Sequence, residues 1–301
     1  MLKKKIKALV LFSGGLDSIL AAKLLQEQGM EVLGLTFVSY FFNAQIGQKS
    51  AEAINLDLKI IDISVQHLAM VKKPLYGYGS ALNPCIDCHL MMLKKAKEIM
   101  KKEKYDLVAT GEVLGERPMS QNKKALDLLE KESGLSGYLL RPLSARLLKP
   151  TILEKKDLIN REKLQDISGR SRQKQMALAK KYKIDQYPQP AGGCLLTDIY
   201  FGQKLKGLFD KWPDCDGQDV LLLKLGRFFW HKDNLIIIGR NHKENLAMKN
   251  LLINKDIFIE SRKFPGPSIL IRPKSKIYPE SLVMAKELII KYSSKLKKIQ
   301  L

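Results

Sequence analysis

Ser13-Gly14-Gly15-Leu16-Asp17-Ser18 stands between an apolar run and a segment of helical spacing, and its residue types suit the binding of phosphate. Two glycines let the backbone turn tightly and bring N–H groups close to a ligand, a helix start adds partial positive charge, and serine hydroxyls donate to phosphate oxygens. The segment lacks the lysine of GxxxxGK[ST] and the spacing of GxGxxG, so it is neither a kinase-type phosphate loop nor a dinucleotide fingerprint. A bare glycine pair with Ser and Asp as helix caps would be an ordinary strand-to-helix turn. The full hexapeptide in this position reads as an anion cradle.

Sulfur supplies the second set of reactive groups. Cys85 and Cys88 form a CxxC that opens a helix, where the helix N-terminus is expected to lower thiol pKa and favour thiolate. Cys194 follows Gly192-Gly193, where bare backbone permits close approach. Three thiolates can ligate a 4Fe-4S cluster and leave one iron open, since a fully protein-held cluster uses four cysteines. Cys215, in Pro213-Asp214-Cys215-Asp216-Gly217, is the candidate for a fourth ligand, although its acidic turn reads as a surface loop. A persulfide on one cysteine resolved by another, and a structural zinc completed by His89, use the same residues. Spacing alone does not choose among these. His67, His231 and His242 have no metal spacing with one another and read as ordinary core or surface residues.

The elements that must hold these groups alternate between strand and helix. Ile6 to Phe12, Glu31 to Val38, Leu58 to Ile63 and Tyr105 to Ala109 have strand character; Ser18 to Gln28, Gln45 to Asn55 and Asp87 to Lys102 have helical spacing. This βα series predicts an α/β fold, a parallel sheet with helices on both faces that binds ligands at the C-terminal ends of its strands. Gln186 to Gly193, with two prolines and two glycines, reads as an irregular passage out of that layer. Beyond it Val220 to Leu225, Arg227 to His231 and Leu235 to Arg240 read as short strands. A helix from about Asn241 to Ile253, more short strands and a basic terminal helix from about Pro279 to Leu296 follow. The organisation expected is therefore two domains, 1–200 and a smaller basic α+β domain over 201–301.

Among 301 residues, 52 Lys and Arg stand against 31 Asp and Glu, a net charge of +21, and residues 201–301 hold 20 against 10. Such a charge attracts polyanions, of which nucleic acid is the commonest in the cytoplasm, although lysine used for solubility gives the same composition. With 45% hydrophobic and 28% charged residues, a disordered or fibrous protein is excluded. Four cysteines argue for a reducing compartment. The apolar stretch in MLKKKIKALVLF is shorter than a secretory core, and no run reaches the ~18 residues of a membrane helix. A cytoplasmic protein with no membrane association is the expectation. Arg227, Trp230 and Arg240, with Phe228 and Phe229 adjacent, are the candidates for RNA contact, although consecutive aromatics on a strand point to alternating faces and at least one belongs to the core.

SGGLDS resembles the SGGxDS signature of the PP-loop ATP pyrophosphatases, whose members cleave ATP to AMP and pyrophosphate while adenylating a substrate oxygen. Asn83-Pro84-Cys85-Ile86-Asp87-Cys88 and Ala109-Thr110-Gly111-Glu112 resemble the cysteine and ATP-site segments of the tRNA thiouridine synthases within that family. Leu225 to Trp230 with Ile238-Gly239-Arg240-Asn241 is similar to an RNA-binding module of ribosome quality-control proteins. The resemblance implies an adenine nucleotide alpha hydrolase-like PP-loop domain that uses ATP and Mg2+, with Ser13, Gly14, Gly15, Asp17 and Ser18 as the pyrophosphate cradle and Gly111 admitting AMP to the backbone. It implies transfer of sulfur to a uridine of tRNA, and it favours the 4Fe-4S cluster on Cys85, Cys88 and Cys194 over persulfide or zinc. A sulfur donor, either sulfide or a persulfide carrier protein, is then required, and a homodimer stays open. Two rivals remain at this point: a PP-loop enzyme adenylating a carboxylate for amide formation with zinc on the cysteines, and a nonenzymatic RNA-binding protein.

Overall fold

The computed structural model describes residues 5–188, 193–260 and 266–293. The chain divides into two compact units, Met1–Thr197 and Asp198–Leu301.

In the first unit the elements run β1 (Lys7–Leu11), α1 (Leu16–Glu27), β2 (Glu31–Val38), α2 (Gln45–Ala53), β3 (Asp57–Asp62), α3 (Ser64–Lys72), α4 (Cys85–Lys102), β4 (Leu107–Thr110), α5 (Lys123–Glu132), β5 (Leu139–Leu140), α6 (Ile152–Lys155) and α7 (Gln173–Lys181). Five strands among the described residues form a sheet in the order β3-β2-β1-β4-β5, every pairing parallel. Side chains alternate across it as the strand period requires. Ala8 and Val10 pack with Ile19 and Leu20 of α1 and Ala179 of α7, while Leu9 packs with Leu93 and Ala96 of α4 and Leu129 of α5. Both faces are thus covered, and the strands read as near-continuous apolar runs. From β1 the chain adds β2 and β3 on one side and then returns to place β4 on the other. The strand order therefore reverses between β1 and β4, and a crevice opens past their C-terminal ends. Ser13 follows one of these ends and Gly111 the other.

In the second unit come α8 (Ile199–Lys211), α9 (Gly217–Leu222), β6 (Arg227–His231), β7 (Asn234–Ile238), α10 (His242–Lys249), β8 (Ile257–Ile259), β9 (Ile269–Pro273) and α11 (Pro279–Tyr292). The sheet is antiparallel in the order β6-β7-β9-β8, and Ile236, Ile238, Ile269 and Ile271 pack against Ala285 and Leu288 of α11. The fully buried Arg272 is neutralised by Asp256 at 2.7 Å and Asp219 at 3.0 Å.

One expectation fails here. Val220 to Leu225 is not a strand: Asp216 and Asp219 form a capping box that starts α9 at Gly217 and carries the first half of that apolar run into a helix. A run this short has no period that separates the two. Residues 186–188 and 193 lack regular structure as expected. Positions 189–192, and 294–296 of the expected terminal helix, lie outside the described residues. Among the described residues no helix is long and apolar enough to cross a membrane.

Candidate active site

The Ser13–Ser18 loop, the expected cradle, is held by the elements around it. Gly14 adopts φ +78°, and a Cβ there would stand 2.6 Å from the carbonyl oxygen of Ile46 in α2, so both the turn and its packing require glycine. Ser50 Oγ donates to the Gly14 carbonyl at 2.9 Å, and Thr36 Oγ1 donates to the Phe12 carbonyl at 2.6 Å. Gly15 is the N-cap of α1, and no side chain caps that helix. Ser18 Oγ donates to the Gly15 carbonyl at 2.8 Å, and the Gly15 N–H donates to Ser13 Oγ at 3.3 Å. A Cβ on Gly111 would lie 2.6 Å from Asp17 C and Ser18 N. Expected as a gap for AMP, Gly111 has a reason within the fold: the end of β4 rests on the first turn of α1.

Asp17 is half-buried, and burial pushes its carboxyl pKa up against the opposing pull of Arg172, Gln175 and Arg117. Its Oδ1 has no hydrogen-bond partner. Glu116, whose pKa burial and the charge of Asp17 both raise, likewise leaves Oε2 without one.

The next residue after Gly111 anchors a buried network. Glu112 Oε2 accepts from Arg141 Nε at 2.9 Å and Thr110 Oγ1 at 2.9 Å, and Oε1 lies 3.0 Å from His89 Nδ1. Burial alone would raise the Glu112 pKa, but Arg141 and His89 outweigh it and hold the carboxyl at about 2. An ionised carboxylate only accepts, so His89 Nδ1 is the donor. His89, named in the zinc alternative as completing the set, donates through Nδ1 to Glu112, an arrangement that histidines binding a metal through Nε2 also use.

Cys85 and Cys88 lie one turn apart at the start of α4. Asn83 Nδ2 donates to Cys85 Sγ at 3.2 Å, and His67 Nε2 lies 3.2 Å from Cys88 Sγ. His67 is fully buried, tilted against Phe41 and edge-on to Phe42, and burial lowers its pKa to about 4. The Leu195 N–H donates to the Phe41 carbonyl at 3.1 Å and brings Cys194 to the same place. Burial pushes the Cys88 thiol well above its usual pKa, helped by the neighbouring Cys194, Cys85 and Asp87; burial and then Cys85 raise Cys194 to about 11, against the N–H groups of Leu196 and Thr197. The expectation that the helix start would favour thiolate is therefore overturned for Cys88, because desolvation of the anion outweighs the helix terminus. The three thiols feel one another's charge, yet among the described residues no group of three or more His, Cys, Asp or Glu closes on a metal ion. Cys215, expected in a surface loop, is 5% exposed within the second unit and in no disulfide.

In the second unit Arg227 is exposed with its guanidinium 4.6 Å over the Tyr292 ring. Trp230 is half-buried, edge-on to Trp212 at 5.4 Å with Lys211 Nζ 5.3 Å from its ring. Phe229 joins the core beside Tyr292, so the aromatics alternate as their spacing demands. Arg240 is paired with Glu244, with Nε donating at 2.9 Å.

Residues 4–175 match the family described as Thiamine biosynthesis protein (ThiI). The chain belongs to the ThiI family. Residues 226–301 of this ThiI-family chain match the NFACT protein RNA binding domain. It is 37% identical over 90 residues to the tRNA-specific 2-thiouridylase MnmA of Syntrophomonas wolfei, covering 28% of this chain and 26% of that protein. It is 31% identical over 143 residues to a probable tRNA sulfurtransferase of Finegoldia magna, covering 46% and 36%. A third relative, tRNA-specific 2-thiouridylase MnmA 1 of Syntrophus aciditrophicus, is 28% identical over 305 residues, 94% of this chain and 75% of its own. The chain spans a quarter to a third of the length of the curated relatives it matches first. ATP use is consistent with the family.

Glu112 stood in a segment resembling an ATP-site stretch, but its network was not legible, and neither were His67, Arg141, Glu116, Arg172 and Gln175 as site residues. Their only trace in the sequence is Arg170, Arg172 and Lys174 gathered where a helix begins.

Proposed function

We propose that this chain is an ATP-dependent tRNA sulfurtransferase that makes thiouridine. A uracil carbonyl oxygen is a poor leaving group, and adenylation makes it a good one. The carbonyl oxygen attacks the α-phosphorus of ATP, the bond between α-phosphorus and bridging oxygen breaks, and pyrophosphate leaves. A sulfur nucleophile then adds to the base carbon, the carbon–oxygen bond breaks, and AMP departs with the oxygen. Ser13, Gly14, Gly15, Asp17 and Ser18 receive the pyrophosphate end, where charge develops. The observation that carries this reading is a continuous run of neighbours: Gly111 against Asp17 and Ser18, Glu112 beside it, His89 bonded to Glu112, and Cys88 next to His89. It links the phosphate cradle to the cysteines within one unit.

The orphaned oxygens of Asp17 and Glu116 fit a divalent cation, and Mg2+ held there would neutralise pyrophosphate charge. Cys85, Cys88 and Cys194 fit a 4Fe-4S cluster as a set of half-buried, neighbouring thiols, and such a cluster would supply an iron for sulfur delivery. Burial raises the pKa of the Cys88 and Cys194 thiols, and ligation to iron would remove those protons. The second unit binds tRNA through phosphate contacts, with Arg227 the most available of the three named residues. A single-stranded or flipped uridine enters the first unit, because a base within a helix does not present its carbonyl. Sulfide or a persulfide carrier supplies the sulfur, and the work takes place in the cytoplasm.

The test is anaerobic purification followed by incubation with ATP, Mg2+, tRNA and sulfide, with nucleosides read by mass spectrometry. Thiouridine is expected, and should be lost with Asp17→Ala and with alanine at Cys85, Cys88 or Cys194. The three cysteine variants should lose iron and visible absorption, and Cys215→Ala should keep both. A colourless protein holding zinc, or pyrophosphate release undiminished in folded Asp17→Ala, would refute the assignment.

A further inference from the structure

The start of α7 carries two groups, Arg172 and Gln175, that the reading above leaves without a task. Among the described residues, five of the eight buried side-chain nitrogen and oxygen atoms with no hydrogen-bond partner belong to Asp17, Glu116, Arg172 and Gln175. Gln175 is fully buried, close enough to the Asp17 carboxyl to lower its pKa, yet neither amide atom lies within hydrogen-bond distance of a partner among the described residues. Folded proteins pair buried polar groups almost without exception, so orphans gathered at one place mark a missing polar ligand.

The helices explain why the place exists. At one end of the pair, Asp17 in the first turn of α1 feels Arg172 and Gln175 of α7. At the other, Glu27 of α1 meets Lys181, with Nζ donating at 3.0 Å, and Tyr182. The two helices therefore run side by side in the same direction, and both positive ends face one spot. Parallel helix dipoles repel, and an anion at the shared end reverses that penalty. Neither helix has a side-chain cap. Arg170, Arg172 and Lys174 all crowd the start of α7, the end a helix dipole makes unfavourable for cations. Lys174 answers to Asp166 at 2.8 Å, while Arg172 Nε has no partner.

We propose that Arg172 and Gln175 form the wall of the site opposite the Ser13–Ser18 loop and bind the pyrophosphate portion of ATP. The inference rests on that loop being the ATP site, and it adds a second helix terminus to it. A guanidinium fork matches phosphate oxygens, and the amide of Gln175 supplies a donor to the ligand and an acceptor for its bound water or cation. The pyrophosphate end is favoured over the AMP end because Arg172 is set against Asp17, a residue of the cradle itself. An RNA phosphate has the same chemistry, and the experiment separates the sources.

Binding of ATP, pyrophosphate, AMP and tRNA is measured by calorimetry with Mg2+ present, on the full chain and on Arg172→Gln and Gln175→Met. Removing a charge-assisted hydrogen bond should weaken ATP and pyrophosphate roughly ten- to a hundredfold in Arg172→Gln, with AMP and tRNA changed less than about twofold by the same reasoning. Gln175→Met separates a group that bonds the ligand from a merely buried polar one. It should raise the melting temperature without ligand, because an unsatisfied amide is removed, and yet weaken pyrophosphate. Unchanged pyrophosphate affinity in both variants would overturn the inference and leave the ATP site standing. Loss of tRNA affinity with pyrophosphate intact would also overturn it, in favour of an RNA phosphate. A parent protein that binds neither ATP nor pyrophosphate would remove the underlying reading, and the inference with it.

Discussion

Glu112→Gln offers a measurement in which size is conserved and charge is removed from the most heavily bonded carboxylate of the site. In the folded chain Arg141, His89 and Thr110 all donate to it, and the carboxyl pKa falls from an ordinary 4.5 to about 2 despite full burial. A depressed carboxylate pKa stabilises the fold above the unfolded value of 4.5, and that contribution disappears as pH falls through about 2. At about 1.36 kcal/mol per pH unit, the interval corresponds to about 3 kcal/mol at pH 7 and to about 1 kcal/mol at pH 3. Urea unfolding of the parent and Glu112→Gln at pH 7, 5 and 3 reads this directly, because the other carboxylates titrate in both proteins and cancel in the difference. The gap should narrow by about 2 kcal/mol between pH 7 and pH 3. The weaker hydrogen bonding of the glutamine variant adds an offset that does not vary with pH. A gap that stays constant from pH 7 to pH 3, or a Glu112 carboxyl carbon resonance titrating near 4.5, would refute the reasoning, and with it the assignment of His89 Nδ1 as donor.

Two further outcomes follow from the geometry. Gly111→Ala should destabilise the first unit by about 1–3 kcal/mol, since its Cβ meets backbone atoms of Asp17 and Ser18 that have no rotamer to escape into; thermal unfolding checks it, and a wild-type melting temperature would show that β4 and α1 shift apart freely. Arg227→Ala should lower the slope of log affinity against log salt for tRNA by about 0.7 to 0.9, the amount expected when one phosphate is no longer neutralised, while Arg240→Ala should change it little because Glu244 already neutralises that charge.

The strands and helices that hold the site were legible because their periods were clean: Glu31–Val38 is a strand over the very residues the apolar run marked, and α4 opens at the CxxC. The tight turn of the hexapeptide between β1 and α1 was legible because a glycine pair after an apolar run marks such a turn. The Glu112 network was not. Arg141 is 29 residues away, and only the pairing of β4 with β5 brings it alongside. Gln175 was invisible for another reason, since a glutamine among Arg and Lys looks like a solvated face until α1 is laid beside it. The thiols of Cys88 and Cys194 show a third limit. A helix start is visible in a sequence, whereas the depth of burial that opposes it comes only from Phe41, Phe42 and the His67 ring closing around the site.

The pinning of the cradle by its neighbours has a kinetic consequence. With the Gly14 carbonyl held by Ser50, the Phe12 carbonyl held by Thr36 and Gly14 itself against Ile46, the loop takes its shape when the domain folds rather than when a nucleotide arrives. Association of the nucleotide proposed to bind this loop then involves no slow rearrangement of backbone, so encounter and desolvation set the on-rate, and differences among nucleotides emerge in how long each stays. The loop alone, cut from α2 and β2, would have to supply that order afresh at every encounter, and so a peptide of the same sequence is expected to be a poor mimic of the site.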